Sequence, residues 1–231
     1  MRGMLLGAAL TLTIGGLAFA GTSNPELMIT DGATVLCGVA GQPAGCTGNT
    51  GNGSVTYSNA NFGGWNITII AGASNSPGET PFALDLTTLA VECAAASCST
   101  LTVDLSDIGF TPTKETDTVG YSATDTGAAA STSESGYYST TNNYFALTSL
   151  IGTVGPFVGA GAFAGHASGP GPTTSPYSFT LVNTFAACTG AGCASYSSDS
   201  NITSIPEPAS VALFGTVLVF CASRLRRRKA S

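Results

Sequence analysis

Residues 101–105 read LTVDL, which puts Leu101, Val103 and Leu105 on one side of an extended chain and Thr102 and Asp104 on the other. That period of two, with one apolar and one polar face, belongs to a β-strand with one side packed and one side wet. The same pattern recurs upstream and downstream. In WNITII (65–70), Trp65, Ile67 and Ile69 alternate with Asn66 and Thr68. In PFALDLTTL (81–89), Phe82, Leu84 and Leu86 alternate, and in PYSFTLV (176–182) Tyr177, Phe179 and Leu181 do. Gly, Pro, Asn and Ser separate these runs, and no segment between the chain ends carries a helical apolar stripe. About seven to nine such strands predict an all-β, antiparallel β-sandwich.

The remaining middle segments extend this reading. Residues 146–169, ALTSLIGTVGPFVGAGAFAGHASG, are apolar and glycine-rich and read as strands and tight turns over the core. Lys114 to Asn143 is rich in Ser, Thr, Gly and Ala and fits either exposed strands or a long loop. ASYSSDSNITS (194–204) fits a last strand followed by a tether.

Charge is distributed unevenly. Between Gly21 and Ile205 there are twelve acidic residues and one basic residue, Lys114, for a net charge near −11. Such a surface repels phosphate, so neither nucleic acid nor anionic lipid is an expected partner. The N-terminus, MRGMLLGAALTLTIGGLAFA, has one Arg, an apolar stretch and Ala18-Phe19-Ala20, the small-x-small pattern of a secretory signal peptide. Cleavage by signal peptidase is expected after Ala20. At the other end, Ala209–Ser223 is an apolar run about 22 Å long as a helix, a marginal span of the inner membrane. Arg224, Arg226, Arg227, Arg228 and Lys229 follow it as a basic stop that stays cytoplasmic and leaves the preceding chain outside. The expected organisation is a signal peptide (1–20), an ectodomain (21–200), a tether (201–208), a transmembrane helix (209–223) and a basic tail (224–231).

Pro206-Glu207-Pro208, the following apolar run and the Arg cluster together closely resemble the PEP-CTERM sorting signal of Gram-negative bacteria. The resemblance covers the last 26 residues. It implies recognition by exosortase at the membrane and association with exopolysaccharide and biofilm matrix. GGWNITIIAG, the LDL and LTVDLSDIGFTP pair, and GPFVGAGAFAGHASGPG with PYSFTL are also similar to a recurring β-rich ectodomain of PEP-CTERM proteins. That similarity implies no particular activity.

Six cysteines lie outside the apolar run as three close pairs: Cys37 and Cys46, Cys93 and Cys98, Cys188 and Cys193. An even count in an exported chain indicates disulfides, and local pairing is the simplest of the many schemes. No metal or other cofactor is expected, since the spacing is wider than Cys-x2-Cys and the only histidine is His166.

Chemistry is hard to find. His166 in FAGHASG has no Gly-x-Ser-x-Gly partner motif. Asp104, Asp107 and Asp85 are the carboxylates that could form a glycosidase pair, although Asp85 and Asp104 fit solvated strand faces better. Trp65, Tyr137, Tyr138 and Tyr144 are candidates for stacking on sugar rings, with Trp65 better suited to the core. The chain is therefore read as a non-enzymatic surface or matrix component. A carbohydrate-binding module for exopolysaccharide is the alternative, and a secreted hydrolase ranks third.

Overall fold

The computed structural model describes residues 24–31, 34–37, 46–49, 53–78, 82–111, 116–127, 130–190 and 192–204. The signal segment with Ala18 and Ala20, the Pro206–Pro208 motif, the apolar run and the basic stop lie outside the described residues. So do the side chains of Cys37 and Cys46.

Every described element is a strand, and every pairing is antiparallel. One sheet has six strands in the spatial order β11 (Ser149–Val158), β10 (Ser131–Ser139), β13 (Tyr177–Phe185), β8 (Leu101–Phe110), β1 (Glu26–Thr30) and β2 (Thr34–Cys37). The other has seven: β12 (Gly161–Pro170), β9 (Thr116–Thr126), β15 (Ser195–Ser204), β6 (Leu84–Cys93), β5 (Trp65–Ser74), β4 (Ser54–Phe62) and β3 (Cys46–Asn49). A two-strand ladder joins β7 (Ser97–Cys98) to β14 (Cys188–Thr189). The two large sheets face each other as a sandwich. In each of them, strands preceding residue 112 fill one side and strands following residue 115 fill the other. The two sets meet at β8–β13 and at β6–β15.

The alternating residues supply the core. Leu101, Val103 and Leu105, together with Tyr177, Phe179 and Leu181, are fully buried on the inner face of the six-stranded sheet. Leu84 and Leu86 meet them from the seven-stranded sheet. Aromatic side chains tie the layers together: Tyr196 lies 4.7 Å from Phe185 and 6.1 Å from Trp65, centroid to centroid. Trp65 is a core residue, and its indole N–H donates to the Ser99 carbonyl at 3.1 Å. Rings of this size dominate the apolar area removed from water.

Three expectations need correction. The inward pattern of WNITII changes phase after Ile67. It passes from Trp65 and Ile67 to Ile70, Gly72 and Ser74, a step of three that β6 shares. Register shifts in the neighbouring β4 and β15 pairings accommodate the extra residue. Secondly, the Ser/Thr-rich stretch after Lys114 is neither an exposed strand set nor a loop. It forms β9 and β10, whose inward positions include Tyr121, Thr132 and Glu134. Thirdly, Asp104 is only 6 % exposed, not solvated, although it lies on the face opposite Val103 and Leu105.

The glycine-rich stretch explains itself at the margin of the sandwich. β11 belongs to one sheet and β12 to the other, and only residues 159 and 160 separate them. Here the chain changes layer and packs backbone on backbone. A Cβ built on Gly169 would sit 2.0 Å from the Ile151 carbonyl oxygen, and one on Gly152 would sit 2.6 Å from the Ala167 Cβ. Only hydrogen fits at either position. Phe157 and Phe163 stack beside this contact at 4.9 Å, with Tyr121 parallel to Phe157. Gly169→Ala should therefore destabilise the fold by about 1–3 kcal/mol, read as a lowered urea midpoint at unchanged slope.

Candidate functional site

The outer face of the seven-stranded sheet is assembled by register. One row runs His166 (β12), Gly120 (β9), Asn201 (β15) and Asp85 (β6). The next runs Ala164, Ser122, Asp199 and Thr87. Most of these positions carry Ser, Thr, Asn or Asp, and among the described residues no second layer covers this face. Gly120 leaves room for its neighbour: a Cβ there would lie 2.9 Å from the Asn201 Oδ1. The Thr87 hydroxyl donates to the Asp199 Oδ1 at 3.1 Å. A shallow depression of about 450 Å³ is lined by Thr87, Ser122, Thr124, Phe163, Ser197 and Asp199.

Asp85 and Asp199 are 114 residues apart in sequence, but the β15–β6 register makes them neighbours. Partial burial, then the charge and hydrogen bonding of Asp199, push Asp85 up to about 6. The face therefore offers hydroxyls, an amide and a pair of neighbouring carboxyls, of which Asp85 binds its proton up to about pH 6. It can donate to and accept from a polyol without deep desolvation. His166 is exposed at the edge of this face and makes no hydrogen bond to a carboxyl among the described residues. Asp104 and Asp107 belong to the other sheet, so the fold does not bring them together with Asp85. Nothing in the sequence pointed to Asp199, because only strand pairing places it beside Asp85.

The aromatic candidates scatter. Tyr137 lies half-buried on the outer face of the six-stranded sheet, while Tyr138 packs against the core. The Tyr144 hydroxyl donates to the Asn24 carbonyl at 2.9 Å, which spends it on holding the 140–148 loop to the β1 end.

A second polar group lies inside the sandwich. Glu134 and Asn183 face inward directly opposite each other on β10 and β13, and both are fully buried. The Asn183 amide N–H donates to the Ser198 hydroxyl of the other sheet at 2.9 Å, and Ser198 in turn contacts Thr88. Neither Glu134 carboxyl oxygen has a hydrogen-bond partner, and neither does the Asn183 Oδ1. Burial pushes Glu134 well above the usual carboxylate range. The nearby Ser200 hydroxyl opposes this in part, and Asp104 adds to it. Burial likewise pushes Asp104 up to about 7 and Asp125 to about 6. No Lys or Arg lies among the described residues to balance these groups.

The sign of the pH effect follows. A carboxyl whose folded pKa exceeds its unfolded value contributes most below the unfolded value, near 4, and loses that contribution as pH rises through the folded one. For Asp85, Asp125 and Asp104 the loss spans roughly pH 4 to 7. The melting temperature should therefore be higher at pH 5 than at pH 8, the reverse of the usual acid sensitivity. Glu134→Gln, which fixes a neutral donor opposite Asn183, should raise the melting temperature at pH 8 more than at pH 5.

The cysteines pair locally as expected where they are described. Cys93 is bonded to Cys98 and Cys188 to Cys193, with Cα separations of 5.9 and 6.0 Å. The β7–β14 ladder sets Cys98 directly opposite Cys188, so the two bridged loops form one cluster. The sulfurs of Cys93, Cys188 and Cys193 lie within 4.8 Å of one another, but as disulfide sulfurs they are not thiolate ligands. Replacing Cys188 and Cys193 together by Ser should cost about 2 kcal/mol, measured by denaturant unfolding.

No protein-family model and no curated protein matches the sequence. Solved structures overlap it loosely. The enzymatically active domain of bacteriophage CBA120 tailspike protein 4 superimposes with a TM-score of 0.34 and 12% identity, over 63% of this chain and 20% of that one. TmCBM61, solved with β-1,4-galactotriose, gives a TM-score of 0.34 and 11% identity over 63% and 92% of the two chains. The Arthrobacter globiformis T6 isomalto-dextranase complexed with panose gives 0.26 and 14% over 65% and 23%. Overlap of this size transfers neither ligand nor activity.

Proposed function

We propose that this chain is an exported surface or matrix protein, a disulfide-pinned β-sandwich that meets its surroundings through the broad polar outer face of the seven-stranded sheet. The observation that carries this reading is that face itself: rows of hydroxyl, amide and carboxyl groups over β12, β9, β15 and β6, with only a shallow depression. Disulfides on the described loops suit an oxidising compartment. In this proposal the signal peptide delivers the chain outward. Exosortase then acts at Pro206–Pro208 while the apolar run and basic stop hold the chain in the inner membrane.

The intact mass of the native protein, taken from surface and medium fractions, tests the sorting step. A species from Gly21 to the Pro206–Pro208 region is expected, with cysteines that alkylate only after reduction. A species that keeps its C-terminus through Ser231 in every fraction would overturn the sorting step.

Exopolysaccharide binding is the second reading, and the depression over Thr87, Ser122 and Asp199 favours it. Hydroxyl and carboxyl groups around a shallow depression can hydrogen-bond the hydroxyls of a sugar. Retention on immobilised exopolysaccharide of the producing cell should fall severalfold in a Thr87→Ala, Asp199→Ala double variant. Equal retention of variant and parent would remove this reading.

A further inference from the structure

We propose that β12 is a self-pairing edge, through which two copies of this chain join by antiparallel β12–β12 hydrogen bonding into one continuous sheet. β12 runs ten residues against β9 in unbroken register, and no other described strand pairs with its far side. An edge of this kind presents a row of backbone N–H and C=O groups without sheet partners. Proteins ordinarily blunt such edges with charges, prolines, bulges or short length.

The two edges at this margin of the sandwich differ in just those respects. β11, the edge of the six-stranded sheet, pairs with β10 through two register shifts and carries Pro156 in its interior. β12 reads GAFAGHASGP, with no register shift, no charged residue and its only proline at the last position. By the defences known for edge strands, β11 is protected and β12 is open.

Charge selects the occupant. The chain between its two ends is strongly acidic, so copies of it repel over most of their surface. The β12 margin is an exception. Thr118, Gly120, Ser122 and Thr124, which flank it on the outer face of β9, are uncharged, and Asp117 and Asp125 of that strand are buried inward. Asp199 and Asp85 stand two and three strands further in, on β15 and β6. A second copy can therefore approach here without like charges meeting.

Antiparallel pairing about a two-fold axis is self-complementary, since each residue meets its counterpart's partner. The outward side chains Ala162, Ala164, His166 and Ser168 are small or uncharged enough to stand beside their equivalents. Val158, 71% exposed at the end of β11, adds apolar surface next to the joint. Most of the contact is main-chain hydrogen bonding over a small area, so the association is weak and depends on concentration.

Hydrogen exchange read by mass spectrometry on the full chain in detergent tests this, at two protein concentrations about a hundredfold apart. The β12 peptides should exchange at least about threefold more slowly at the higher concentration, with β11 peptides unchanged. Ala164→Lys, which sets like charges beside each other across the joint, should abolish that dependence while β9 and β15 keep their protection. If β9 and β15 lose protection in that variant, His166→Lys supplies the same charge at an exposed position and decides the matter. Exchange of β12 that is independent of concentration would overturn the proposal. So would a dependence that survives the lysine variants, or one that appears at β11 instead.

Discussion

The sandwich depends on a place where two backbones touch. Between β11 and β12 the chain leaves one sheet and enters the other within two residues, and the layers come close enough that Gly152 and Gly169 admit no side chain. That contact closes one margin of the core. It aligns Phe157 and Phe163 beside Tyr121, and it sends β12 out along the rim of the seven-stranded sheet. The outer face rows start from this strand, and its free side is the open edge. Bulkier residues at those glycines would separate the layers and shift the position of every strand that pairs outward from β12.

Inside the closed margin, the fold resolves an electrostatic difficulty by keeping protons. A buried charge ordinarily has a partner of opposite sign or gives up its charge. With no Lys or Arg among the described residues, Glu134 takes the second course, and Asp104 and Asp125 are pushed toward it, up to about 7 and about 6. The arrangement suits a chain as acidic as this one between its two ends. It keeps the surface charge that favours solubility and leaves the interior close to neutral.

The class of fold was legible because Leu101–Leu105 and Tyr177–Leu181 obey the period of two without interruption. The local bridges at Cys93–Cys98 and Cys188–Cys193 were legible for a similar reason, since each needs only a short loop between strand ends. What could not be read depends on pairing between distant strands. The phase change from Ile67 to Ile70 is set by neighbours on β4 and β15, and single-strand alternation carries no mark of it. The inward turn of Glu134 looks like a polar residue in a Ser/Thr-rich stretch until β13 is laid beside it. Asp104 alternates as a solvated residue should, and only the assembled structure buries it. The Asp85–Asp199 pair exists solely through the β15–β6 register.

The division of the strands has a mechanical consequence. Everything before residue 112 forms one half of each sheet and everything after residue 115 forms the other, so the two halves adjoin along seams at β8–β13, β6–β15 and β7–β14. Both described disulfides are local, and neither crosses from one half to the other. Among the described residues the joint is therefore a zipper of hydrogen bonds and packed rings, with no disulfide across it. A protease that cleaves after basic residues finds one target, Lys114, between the two ends of the molecule. Once cut, the sandwich would persist as a tightly fitted pair of fragments, each supplying the complement of the other.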